Sequence, residues 1–178
     1  ISVTELDDQA NDATLTARTG AITDGGNGGS GKDVTAGTAV LTAATSVGPG
    51  NALETQLGNL EGTASAGNFA VDDMGGLTIG GIGGTVGVNA TTTVDVTTMT
   101  AMNVNENVTG GGNVTLTAYD TAGANDDLTV PGGVTVLSTA GDITLSGGDD
   151  VDIDGNLTAN SAGGEITINT DPAAGDAD

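Results

Sequence analysis

Residues 141–168 read GDITLSGGDDVDIDGNLTANSAGGEITI, and this stretch decides the fold. Its two ends, residues 141–145 and 164–168, share one template: Gly, any residue, an aliphatic residue, Thr and a second aliphatic residue. Because the aliphatic residues alternate with Thr, the template predicts a short strand with the aliphatic pair on one face and Thr on the other. A glycine opens each copy, which is typical of a strand that follows a turn.

The template recurs along the chain at nearly regular intervals. Copies begin at Gly75, Gly112, Gly132, Gly141, Gly155 and Gly164. The interval from Gly112 to Gly132 is 20 residues, and the intervals from Gly132 to Gly155 and from Gly141 to Gly164 are both 23 residues. Fixed periods of this length are typical of solenoids. We therefore predict an all-β chain that folds as a right-handed parallel β-helix (β-solenoid), with about 20–23 residues and two or three strands per coil, and about eight coils.

The composition excludes several classes of function. The 178 residues include 24 Asp or Glu but only two Lys or Arg, and His and Cys are absent, for a formal net charge of −22. Without His or Cys there is no imidazole base, thiolate nucleophile or zinc cluster. With Arg18 and Lys32 as the only cationic side chains, we predict no nucleic-acid partner. No apolar run approaches the roughly 18 residues that span a bilayer, so we predict no membrane insertion.

We predict that residues 1–178 form a single solenoid module. Residues 1–50 are expected to form irregular first coils, residues 51–170 the regular repeats, and residues 171–178 an acidic linker to the next repeat or subunit. One segment, residues 51–62 (NALETQLGNLEG), also fits a helix, because Leu53, Leu57 and Leu60 lie at i, i+4 and i+7. The short length and Gly58 favour a single helical turn or a coil cap there over a full helix.

The densest group of metal-ligating residues is Asp150, Asp152 and Asp154. Together with the following glycine they match the D-x-D-x-D-G opening of a calcium loop. The twelfth position of that loop is Ser161 instead of Glu, so the segment is not an EF-hand. Two interpretations stay open: a Ca²⁺ site, or a solvated acidic face on a strand whose aliphatic residues point inward.

Paired aspartates mark several predicted turns, where such side chains usually accept hydrogen bonds from backbone amides. The pairs are Asp7 with Asp8, Asp72 with Asp73, and Asp126 with Asp127. Paired carboxylates also hydrolyse glycosides in some enzymes. Those enzymes use aromatic and cationic residues to bind substrate, and such residues are nearly absent here, so we predict no catalytic residues and no enzymatic activity.

The repeats also resemble those of a known class of proteins. Residues 112–118 (GNVTLTA), 141–147 (GDITLSG) and 164–170 (GEITINT) resemble the β-strand repeats of large secreted bacterial surface proteins of the filamentous-haemagglutinin-like class. Residues 51–62, followed by residues 75–84, are similar to a block that recurs in giant surface proteins of that kind. The resemblance spans about residues 51–170, and the first part of the chain departs from it. It implies a right-handed parallel β-helix, export to the cell surface, a role in adhesion or in a fibre, and no catalytic residues.

We therefore expect a non-enzymatic extracellular structural module, a repeat or subunit of a bacterial surface fibre or adhesin. Its main partner would be itself, either as a homopolymer or as adjacent repeats of the same protein, because the open strand edges at the ends of a solenoid favour end-to-end pairing. One alternative is an antiparallel β-sandwich pilin whose N-terminal strand, residues 1–6, inserts into a neighbouring subunit. Another is a monomeric adhesin module that binds calcium or surface glycans.

Overall fold

The computed structural model describes residues 1–9, 11–26, 31–83, 87–121 and 125–170. Over these residues the chain is all-β, contains no helix, and stacks its strands as about seven coils of a β-solenoid. The predicted solenoid is confirmed, with about seven coils in place of the predicted eight. The alternative of an antiparallel β-sandwich is wrong, because every strand pairing in these ranges is parallel. The predicted acidic linker, residues 171–178, lies outside the described residues.

The two longest strands span residues 34–43 and 53–64, and the strands of the later coils are three to five residues long. Within the described ranges they are β1 (Ser2–Val3), β2 (Leu6–Asp7), β3 (Asp12–Ala17), β4 (Thr23–Asp24), β5 (Val34–Ala43), β6 (Leu53–Ala64), β7 (Phe69–Asp73), β8 (Leu77–Ile79), β9 (Val88–Ala90), β10 (Val94–Thr98), β11 (Met102–Val104), β12 (Val108–Gly110), β13 (Val114–Ala118), β14 (Leu128–Val130), β15 (Thr135–Ser138), β16 (Ile143–Gly147), β17 (Val151–Ile153), β18 (Asn156–Ala159) and β19 (Ile166–Thr170).

From β7 onward each coil carries three strands, one on each face of the solenoid. The first face is built from β7, β10, β13, β16 and β19, the second from β8, β11, β14 and β17, and the third from β9, β12, β15 and β18. Each strand pairs with its counterpart one coil away. At the N-terminal end, β1 and β4 form a separate two-stranded sheet.

The prediction of 20–23 residues per coil is wrong as a uniform rule. Paired residues are 18 positions apart between β6 and β7, where Leu53 pairs with Val71, and 29 positions apart between β13 and β16, where Val114 pairs with Ile143. The 23-residue step from β16 to β19 is confirmed, since Ile143 pairs with Ile166. The coil length varies because the turns outside the stacked strands differ in length while the strands stay paired.

Residues 51–62 form no helical turn, because residues 53–62 lie in the long strand β6. Leu53, Leu57 and Leu60 all point inward and are at most 4% exposed. In a strand this requires the inward side to change between Leu57 and Leu60, and Gly58 stands at that change. A Cβ on Gly58 would lie 2.8 Å from the carbonyl oxygen of Gly37 in the preceding coil, so the two glycines form a stacked corner. The helical spacing of the leucines therefore reflects a bend between two faces.

The core is a set of columns that run along the solenoid axis, one inward residue per coil. One column on the first face contains Phe69, Val94, Val114, Ile143 and Ile166. The first four of these side chains are at most 1% exposed. Each fully buried aliphatic side chain contributes about 1.5–3 kcal/mol, so a slender core of small residues stabilises the fold through its length.

Candidate functional site

The three aspartates predicted as calcium ligands lie on and beside β17. Asp152 is exposed on the outer side of the strand, and Asp150 and Asp154 are exposed at its two ends. The aliphatic residues between them face inward and pack against the core, as one of the two sequence interpretations expects. The carboxylates of this trio do not come within 4.8 Å of one another as a group, because alternate residues of an extended strand are far apart. Calcium binding by these residues stays a prediction.

Each aspartate pair places one carboxylate against backbone amides, as the turn interpretation expects, but Asp7, Asp72 and Asp73 themselves lie in strands. Asp7 Oδ1 accepts a hydrogen bond from the backbone N–H of Gln9 at 3.3 Å. Asp126 Oδ2 accepts one from the backbone N–H of Thr121 at 2.6 Å. Asp73 accepts backbone hydrogen bonds from Leu57 and Gly75 at 2.8 and 2.9 Å. These bonds satisfy backbone amides beside strand ends and, in the case of Leu57, an amide inside β6.

A different set of acidic residues comes together near the N-terminal end. Asp24, Asp33 and Glu54 each place a carboxylate oxygen within 4.8 Å of the others, and we call this group the acidic cluster. It is the only group of three or more such ligands that close among residues 1–9, 11–26, 31–83, 87–121 and 125–170. Asp33 is 0% exposed and Glu54 is 5% exposed. Ionised carboxylates at this spacing repel by about 3 kcal/mol per pair at an effective dielectric constant of about 20.

Strand register explains why two members of the acidic cluster meet. Val34 pairs with Thr55, so the residues before them, Asp33 and Glu54, lie side by side in successive coils. The backbone N–H of Asp33 donates to the carbonyl oxygen of Glu54 at 2.7 Å, and the backbone N–H of Glu54 donates to Asp33 Oδ2 at 3.2 Å. Asp24 comes from β4 in the small sheet. Sequence inspection missed the cluster because its members are far apart in sequence and no local motif joins them.

Asn51 connects two of the carboxylates in the acidic cluster. Its side-chain Nδ2 donates to Asp24 Oδ2 at 2.8 Å and to Glu54 Oε1 at 3.2 Å. The other oxygen of Glu54, Oε2, is buried and has no hydrogen-bond partner. Burial raises the pKa of Asp33 to about 7, and the adjacent Glu54 carboxyl and the charge of Asp24 act in the same direction. The surroundings of the cluster therefore disfavour an isolated negative charge on Asp33.

Asp73 provides a test of how a buried carboxyl affects stability. It is 2% exposed, and burial raises its pKa above the ordinary value of 3.8 despite hydrogen bonds from Thr55, Leu57 and Gly75. The pKa of Asp73 is higher in the folded state than in the unfolded chain. The contribution of this carboxyl to stability is therefore complete below about pH 3.8 and is lost as the pH rises through the folded-state pKa. We expect the free energy of unfolding of the native chain, relative to that of the Asp73→Asn variant, to increase as the pH is lowered by about three units, from about 7 to about 4. Urea unfolding with chelator present measures both values. Asp152→Asn, which removes the same charge from an exposed position, is the control, and an unchanging difference between the native chain and Asp73→Asn would contradict the expectation.

An open groove of about 1070 Å³ lies across the first coils of the solenoid. Its polar lining includes Glu5, Asp7, Lys32 and Gln56, and the ammonium of Lys32 donates to Gln56 Oε1. The residues that line it include no aromatic ring. It therefore has no surface on which a sugar ring could stack, which weakens the glycan-binding alternative at this position.

The last described coil leaves apolar core positions exposed. Ile166 and Ile168 of β19 pair with Ile143 and Leu145 of β16 and continue their inward columns. They are 42% and 50% exposed, whereas Ile143 and Leu145 are 0% exposed. The difference arises because β16 is covered by a further strand and no described strand covers β19.

Comparison with known proteins identifies no relative of this chain: no family model, curated protein or solved structure matches it. Within the described part of the chain, no helix has the length and apolar character needed to cross a membrane.

Proposed function

We propose that the chain is a non-enzymatic structural module of an extracellular fibre or adhesin on a bacterial surface, and that it assembles end to end with a second copy of itself. The observation that carries this proposal is the exposure of Ile166 and Ile168 at core positions of the last described coil. A further coil stacked on β19 would bury both side chains and pair the backbone groups of that strand. The resemblance to secreted surface repeats supports the location and the role.

The opposite end offers a second apolar edge. Ile1 is 52% exposed and Leu6 of β2 is 37% exposed. Strands at both ends run in the same direction along their coils, since all the described pairings are parallel, so a head-to-tail contact repeats the geometry inside the solenoid. The net charge of −22 keeps the sides of neighbouring fibres apart and opposes association at low salt.

We expect the native chain to form linear oligomers as its concentration rises at physiological salt, because end-to-end stacking removes apolar surface from water. Replacing Ile166 and Ile168 together by Lys places two charges in that contact and is expected to leave the chain monomeric. Sedimentation velocity, with negative-stain electron microscopy of the same samples, measures the result. Low salt is expected to weaken association of the native chain.

Met99→Lys is the matched control for the paired substitution, because Met99 is 47% exposed and follows β10, in the middle of the solenoid. This variant should associate like the native chain. A native chain that stays monomeric at high concentration and physiological salt, both with and without divalent cations, would overturn the proposed self-assembly. Equal loss of association in both variants would show that the contact is not at the end of the solenoid.

A further inference from the structure

We propose that the acidic cluster of Asp24, Asp33 and Glu54 is a binding site for a divalent cation, and that the cation is Ca²⁺. The three carboxylate oxygens that converge within 4.8 Å belong to the class of ligand that hard cations prefer. The site is separate from the exposed aspartates of β17 and from the end of the solenoid, so it stands independently of the proposed function.

The observation that points to a ligand is the second oxygen of Glu54. The Glu54 side chain is 5% exposed, and its Oε2 atom is buried without a hydrogen-bond partner. Buried polar atoms are nearly always satisfied, and an ionised oxygen without a partner is costly to bury. A cation among the three carboxylates would supply the missing interaction. Asn51 donates to Glu54 Oε1, so that oxygen is already engaged.

The spacing of the oxygens fits calcium. Ca²⁺ binds oxygen at about 2.3–2.6 Å, so two oxygens on opposite sides of the ion are up to roughly 5 Å apart. Oxygens within 4.8 Å of one another can therefore share one Ca²⁺ ion. Mg²⁺ binds at about 2.0–2.1 Å and usually keeps several waters, which a site lined by three protein carboxylates accommodates less well.

The sequence contains few cationic side chains. Its 24 acidic residues are accompanied by only two Lys or Arg residues. Lys32, the neighbour of Asp33, donates from Nζ to Gln56 Oε1. Because cationic side chains are so scarce, an ion from solution is a suitable counter-charge for three carboxylates of which two, Asp33 and Glu54, are buried.

Binding at this position would connect parts of the chain that strand pairing joins only weakly. Asp24 belongs to the small β1–β4 sheet, Asp33 lies just before β5, and Glu54 belongs to β6. A shared ion would therefore hold the small sheet against the main solenoid. A ligand that binds the folded state alone raises its stability by an amount that grows with the logarithm of the free ligand concentration above Kd, so Ca²⁺ should raise the unfolding midpoint.

The test is calorimetric titration of the whole chain, freed of metal by chelator, with CaCl₂ and separately with MgCl₂. Thermal unfolding is then followed at the same concentrations of each salt. We expect Ca²⁺ to bind and to raise the midpoint, and Glu54→Gln to weaken this binding at least about tenfold. Glu54→Gln preserves the side-chain shape and removes a repelling charge, so it is expected to fold. Asp33→Asn is a second variant with the same expected loss.

Glu61→Gln is the matched control. Glu61 lies on the same strand as Glu54, is 0% exposed and also has a buried Oε2 atom without a hydrogen-bond partner. Unlike Glu54, it belongs to no acidic cluster among the described residues. This variant should bind Ca²⁺ like the native chain. The triple variant Asp150→Asn, Asp152→Asn and Asp154→Asn separates this site from the predicted one on β17. The proposal is overturned if Ca²⁺ does not bind, if Glu54→Gln and Asp33→Asn bind it as the native chain does, or if only the substitutions on β17 remove binding. Stronger binding of Mg²⁺ than of Ca²⁺ would overturn the choice of ion.

Discussion

Phe69→Ala is expected to lower the free energy of unfolding by about 4 kcal/mol, the largest effect of any single substitution considered for this chain. Phe69 is 0% exposed and is the first residue of β7. Its column neighbours are Val47 in the preceding coil and Val94 in the following one. Neither is large enough to fill the space that the ring leaves, so the variant keeps a cavity in a core only a few side chains wide.

Room for this ring depends on Gly62 in β6. A Cβ on Gly62 would lie 2.4 Å from ring atom Cε2 of Phe69, so the largest core side chain packs against a residue that has none. The expected loss is measured by urea unfolding followed by circular dichroism. Tyr119→Ala is the control, because Tyr119 is the other aromatic residue of the chain and is 53% exposed. It should change stability by no more than about 0.5 kcal/mol; a comparable cost for both variants would show that Phe69 does not anchor the core.

The second large effect is expected from Gly111→Ala, which should destabilise the chain by about 3 kcal/mol. Gly111 follows β12, and a Cβ there would lie only 1.7 Å from the carbonyl oxygen of Thr91 in the neighbouring coil. Coils spaced at the distance of paired strands, about 4.8 Å, leave no room for the methyl group. This clash is removed only if the backbones of the two coils move apart. Such movement weakens the strand pairing around the corner.

Gly20→Ala is the matched control for this effect. A Cβ on Gly20 would have no atom within 4 Å, and its backbone is not in the left-handed region. The substitution should be neutral or stabilise by up to about 1 kcal/mol, because alanine restricts the unfolded chain. Both variants are measured by the same denaturant titration. A Gly111→Ala variant as stable as Gly20→Ala would mean that the coils are further apart at this corner than the structure shows.

The alternation of residues was enough to predict which side chains point inward in the later strands. Leu116 and Leu145 are both buried, as the template requires. Alternation cannot distinguish a correct register from one displaced by two residues, since both keep the same residues inside. The sequence template aligns Val134 with Leu157, whereas in the structure Val136 pairs with Leu157. Aligning strands by the template also gives a wrong coil length. Gly112 and Gly132 precede strands on different faces, so the 20-residue interval between them is not the length of a coil.

The acidic cluster was not predictable from local patterns. The calcium prediction was based on the closely spaced aspartates near residue 150. In an extended strand, however, alternate side chains lie far apart. Asp33 and Glu54 meet because the coil between them is 21 residues long, and Asp24 joins them from a sheet that no repeat predicts. Finding this site from sequence would have required the register of the irregular first coils.

The amino-acid sequence by itself determined that this protein is an all-β solenoid whose repeat strands turn small aliphatic side chains inward and Thr outward, because side-chain alternation is a local property of a strand. The register of the coils, their unequal lengths and the meeting of Asp24, Asp33 and Glu54 were decided only by the tertiary structure. These features depend on the turns and corners, where contacts such as the one between Gly37 and Gly58 join residues from different coils. The free energy that selects these features comes from packing between coils, and a local sequence pattern contains no information about that packing.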